Sequence, residues 1–121
     1  MPNIKKLEID VTATDIGTPL HLNETPLAGG EGREAKYQLG ALPLTSVIEL
    51  QGNNKQGTAV GTGATYDPPA EDDDGWETIL TLDSSSDRVG EIADLPLWLR
   101  AEVTTADADG PDVVLYLEGV Q

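Results

Sequence analysis

There is no cysteine in this chain and no phenylalanine, and histidine occurs once, at His21. The first absence excludes disulfides, thiolate metal sites and cysteine nucleophiles. Small extracellular domains commonly depend on such staples, so it leans toward assembly in a reducing cytoplasm. A single histidine excludes a multi-histidine metal centre within one subunit. Aromatic residues are scarce, with Tyr37, Tyr66, Trp76, Trp98 and Tyr116 the whole set. The chain is therefore short of ring platforms for sugars, and its core must come from Leu, Ile and Val. Bases are scarce as well, 7 against 22 acids, for a formal charge of −15. Phosphate backbones and anionic lipid surfaces repel such a chain, so neither nucleic acid nor membrane is an expected partner. No apolar run approaches the length of a membrane span. Lys5 and Lys6 lack the apolar stretch that would make the N-terminus a secretory signal.

The hydrophobic share is still 38% of 121 residues, enough for one domain with a real core rather than an acidic disordered tail. Its arrangement is a period of two. Lys5, Leu7, Ile9 and Val11 alternate with Lys6, Glu8 and Asp10. Ile48 and Leu50 alternate in Thr45–Gln51, and Trp76–Leu82 is a third such run. Leu97, Leu99, Ala101 and Val103 alternate with Trp98, Arg100 and Glu102, and Val113, Leu115 and Leu117 with Val114, Tyr116 and Glu118. Each pattern marks a strand with one buried face. The last two runs, joined through Asp109, Gly110 and Pro111, read as a β-hairpin. Weaker strands are expected around Leu20–Leu22, Glu34–Leu39 and Thr58–Thr65. A helix over Ser86–Ala93 is opposed by Gly90. Turn signals recur about every ten residues and no helical period is sustained, so the expected fold is all-β: an antiparallel β-sandwich of about seven or eight short strands with long loops.

Motifs for chemistry fail one by one. An EF-hand register on Gly75 puts Ala70 and Thr81 at positions that need acids, and one on Gly110 puts Thr105 and Tyr116 there. A weaker calcium site using Asp72, Asp73 or Asp74 stays open beside the reading of a solvated acidic loop. Gly57–Gly63 is glycine-rich but has no following Gly-Lys-Ser/Thr. Ser84, Ser85 and Ser86 have no nucleophile-elbow context to pair with His21, which reads as a surface residue. No catalytic role and no cofactor are expected. Trp98 and Arg100 share the face opposite Leu99 and Ala101, and an outward Trp beside an Arg is a pairing enriched at protein–protein hot spots. The other reading is that Trp98 packs beneath a loop, and Trp76 carries the same ambiguity.

Ser46–Gly52, Trp76–Leu82, Leu95–Val103 and Val113–Gly119, taken in order, resemble the small cement, or decoration, proteins of tailed-bacteriophage heads. The resemblance implies a jelly-roll-like sandwich on the outer surface of the virion, assembled in the host cytoplasm. It implies the major capsid protein as partner and self-association as a dimer or trimer on the shell. The expected contact surfaces are an extended N-terminal arm over residues 1–6 with Lys5 and Lys6, the glycine-rich loop 23–33 with Arg33, and the Trp98/Arg100 face. The long loops 23–33 and 67–75 are expected to reach across subunit boundaries. The rival expectation is a carbohydrate- or calcium-binding sandwich module of a phage fibre or secreted protein.

Overall fold

Alternating apolar residues become two facing sheets in the computed structural model, which describes residues 4–22, 35–40, 45–55, 58–59, 66–92, 96–110 and 112–119. The strands are β1 (Ile4–Ile9), β2 (Leu20–His21), β3 (Ala35–Leu39), β4 (Val47–Asn53), β5 (Thr58–Ala59), β6 (Tyr66–Asp67), β7 (Glu77–Leu82), β8 (Val89–Ile92), β9 (Trp98–Thr105) and β10 (Val113–Gly119). Sheet A runs β1-β10-β3-β8 and sheet B runs β2-β9-β4-β7, while β5 and β6 form a two-residue ribbon. Every pairing is antiparallel. No helix occurs among the described residues.

The core lies between the sheets and is almost wholly aliphatic. Leu7, Ile9, Leu39, Leu115 and Leu117 enter it from sheet A; Ile48, Leu50, Leu82, Leu99 and Val103 enter from sheet B. These are the inward positions set by the period of two, so strand phase is as expected. Tyr37 is the exception in chemistry. Its ring lies across Gly90 of the neighbouring strand, where an added Cβ would stand 2.7 Å from two ring carbons and from the phenol oxygen. Burial, reinforced by the charge of Asp87, raises the phenol's pKa.

The expected hairpin does not form. β9 lies in sheet B and β10 in sheet A, so the chain passes from one sheet to the other after Thr105 instead of reversing within one sheet. Asp107 N–H donates to Val11 O, and Gly110 N–H donates to Asp107 O, pinning that crossing. Alternation tells which face of a strand is buried. It does not tell whether two strands lie side by side or face each other across about 10 Å of core. The same crossing recurs along the chain: of successive strands in the two main sheets, only β4 and β7 are partners. A second correction concerns the N-terminal arm. Ile4, Lys5 and Lys6 belong to β1, opposite Glu118, Leu117 and Tyr116.

The four sheet edges differ. β2 has two residues, continued by a bridge from Ile16 to Glu102. β7 carries a bulge, because Leu50 pairs Leu80 while Gln51 pairs Thr78, leaving Ile79 between them. β1 and β8 are regular.

Candidate functional site

The outward faces of the two sheets are built differently, and the difference decides which one is free to bind. On sheet B, register places His21, Trp98 and Asn53 in one row and Arg100 beside Gln51 in the next. The segment 66–76 folds over these rows. Trp98 is 3% exposed and Arg100 5%, so the expected outward hot spot is corrected: the phase holds, but a loop covers the face. His21 stacks on Trp98 with ring centroids 4.2 Å apart, and it meets Tyr66 edge-on at 6.3 Å. His21 is therefore half-buried in an aromatic stack, not a bare surface residue.

Arg100 acts as the clamp. Its guanidinium carbon sits 4.0 Å from the centre of the Trp76 ring. Its Nε donates to Gln51 Oε1 (2.7 Å) and its Nη1 to Glu71 O (2.9 Å). Gln51 Nε2 in turn donates to Glu102 Oε1. Burial lowers the guanidinium pKa, while Glu102 and Glu71 act the other way. Trp76 Nε1 donates to Ala70 O, closing the loop on itself.

The acidic run is tied down by the same logic. Asn53 Nδ2 and Gly75 N–H both donate to Asp73 Oδ2 at 2.9 Å. Lys55 Nζ lies 3.2 Å from Asp73 and 2.7 Å from Asp74. The Asn53 amide first, then Gly75 N–H and Lys55, hold the Asp73 carboxyl below its usual pKa. So the loop 67–75, expected to order on reaching a neighbour, is already ordered against its own sheet, with Lys55 between two of the three central aspartates. Among the described residues no group of three acidic or histidine side chains is placed to hold a metal.

Sheet A presents the open face. One row across it reads Lys6, Tyr116, Gln38, Val89. In the next row the register sets Lys36 between Glu118 and Glu91. Val89 is 61% exposed and Tyr116 39%; among the described residues the other exposed large hydrophobic is Ile79, on the β7 bulge. An open groove of about 680 Å³ runs between Tyr116 and Val89, flanked by Lys36, Gln38 and Glu91. Lys6 pairs with Glu8 at 3.0 Å, and that hydrogen-bonded carboxylate raises the lysine's pKa. Lys6 and Lys36 offset two of the three acids at outward register positions, Glu8, Glu91 and Glu118, so this face is nearly balanced on a chain of −15. Lys5 is in β1, and Arg33 lies outside the described residues, as does the loop 23–33.

The site therefore gathers Lys6 from the expected set with Tyr116, Lys36 and Val89, which were not singled out for function. Tyr116 was legible as outward from strand phase. Val89 was not, because β8 is four residues long and contains Gly90. Comparison with protein-family models, curated proteins and solved structures returns no match for this chain.

Proposed function

We propose that this chain is a non-enzymatic structural protein that docks by the outward face of sheet A onto a protein surface, and that it decorates the outside of a tailed-phage head, bridging major capsid subunits. The observation that carries the reading is the nearly charge-balanced, partly apolar sheet A face, with Tyr116 and Val89 exposed, on an otherwise strongly acidic molecule. That face can approach a protein without the repulsion the rest of the surface meets. The strand order β1-β10-β3-β8 over β2-β9-β4-β7 supports a jelly-roll reading, with the chain crossing repeatedly between two four-stranded sheets.

Size fits a lattice better than a lone partner. Four strands spaced about 4.8 Å and some six residues long give a footprint of about 400 Å². A stable pair of proteins buries about 800 Å² on each side, so one docking event is weak. Many copies on a repeating shell, or a dimer or trimer of this chain on it, gain strength through multivalency. The acidic sheet B side then faces solvent, away from packaged DNA.

Cosedimentation with expanded phage heads that lack a decoration protein tests the reading. Saturable binding with a raised shell melting temperature is expected, and Tyr116→Glu should weaken it at least tenfold without changing the free protein's melting temperature. A matched shell that binds none of the chain discards the capsid role.

A further inference from the structure

Among the described residues no strand pairs with the outer edge of β8. Leu39 N–H donates to Arg88 O. In an antiparallel ladder, bonding alternates along the strand, so Arg88 and Gly90 turn their backbone groups to β3. Val89 and Glu91 turn theirs outward, where sheet A ends. The other edges are blunted. β2 is two residues long, β7 is bulged at Ile79, and β1 carries the Lys6–Glu8 ion pair along its outward face. Among the described residues, β8 alone combines a regular edge with an adjoining groove and an exposed apolar side chain, Val89.

We propose that β8 accepts an extended segment of a partner protein as a fifth strand of sheet A, with a cationic side chain opposite Glu91 and an apolar one opposite Val89. Main-chain bonds to Val89 and Glu91 supply affinity, and the groove beside Tyr116 selects the alternate side chains. In antiparallel pairing the incoming segment reads cation, any residue, apolar. Charge picks this occupant over a second copy of the chain. Pairing two copies through β8 brings two Glu91 and two Asp87 carboxylates to one edge between molecules of −15, whereas a basic strand is drawn to it. The inference rests on the docking reading above and assigns its geometry.

The probe is the acetylated, amidated peptide Ser-Thr-Lys-Thr-Val-Thr-Ser, with Ser-Thr-Glu-Thr-Val-Thr-Ser as control, titrated into the ¹⁵N-labelled full chain. Saturable shifts and slowed hydrogen exchange centred on the amides of Val89 and Glu91 are expected from the lysine peptide, at least tenfold stronger than from the control. Val89→Pro removes an outward N–H and no ladder bond, so it should abolish binding and leave the melting temperature nearly unchanged. Glu91→Lys, a surface change that folding tolerates, should reverse the preference between the peptides. Equal binding of both peptides, no shift at either amide, or undiminished binding by Val89→Pro overturns the proposal. So does concentration-dependent self-association that Val89→Pro removes, since the occupant is then a second copy. Shell binding that persists in Val89→Pro while the peptides fail sinks the edge and spares the docking reading. Peptide binding without shell binding does the reverse.

Discussion

Gly90→Ala is the sharpest perturbation the core offers. The new methyl would stand 2.7 Å from Cε2, Cζ and Oη of Tyr37, against an ordinary carbon contact of about 3.5–4.0 Å. The ring must retreat by close to an ångström, and at 8% exposure it is already packed in the core. Overpacking of this kind costs about 1–3 kcal/mol. Alanine returns about 0.5–1 kcal/mol by restricting the unfolded chain. The net loss is about 1–2 kcal/mol, or a melting temperature lower by roughly 4–8 °C for a domain of this size. Urea unfolding of four proteins isolates the clash: wild type, Gly90→Ala, Tyr37→Val and the double variant. With the ring gone, Gly90→Ala should be neutral or slightly stabilising, giving a coupling of about 1–2 kcal/mol. Equal destabilisation by Gly90→Ala with and without the Tyr37 ring would refute the argument, because the cost would then lie in the backbone.

Arg100→Ala should destabilise by about 2–4 kcal/mol, since it removes the donors to Gln51 Oε1 and Glu71 O and uncovers Trp76; faster hydrogen exchange over residues 66–76 is the local readout. Asp73 gives a pH signature. Its folded pKa is depressed, so its contribution is complete above the unfolded value of about 3.9 and is lost as pH falls through the folded one. Asp73→Asn should accordingly be less stable than wild type at pH 6, with the gap closing below about pH 4 in thermal melts. Ionic strength should act in one direction: with a charge of −15, going from about 0.01 to 0.5 M NaCl should raise the melting temperature by several degrees. A fall would mean that ion pairs such as Lys55 with Asp73 outweigh the general repulsion.

Strand phase was legible wherever the chain alternates cleanly. Leu7, Ile9 and Val11 are buried as the pattern requires, and so are Ile48, Leu50, Leu99 and Val103. Neighbour identity was not legible, since a period of two is blind to which strand lies alongside. That is why the final pair of strands read as a hairpin. Trp98 and Arg100 show the same limit at the site. Their side of β9 was right, but the cover comes from Glu71, Trp76 and Tyr66, about thirty positions away, and no local pattern encodes that approach. Val89 was hidden by brevity: four residues interrupted by a glycine carry too little periodicity to register as a strand.

The place of β10 between β1 and β3 sets a timetable for synthesis. β10 is the last of the described strands in chain order, yet it is the inner seam to which both neighbours hydrogen-bond. A ribosome must deliver the residues up to Gly119 before sheet A can close, so β1 waits with its bonding edge bare while about a hundred residues between it and β10 are made. Within the two main sheets, β4 with β7 can pair early. Such nascent edges invite misassembly between chains on one message, and the heavy negative charge keeps those half-finished chains apart until the seam arrives.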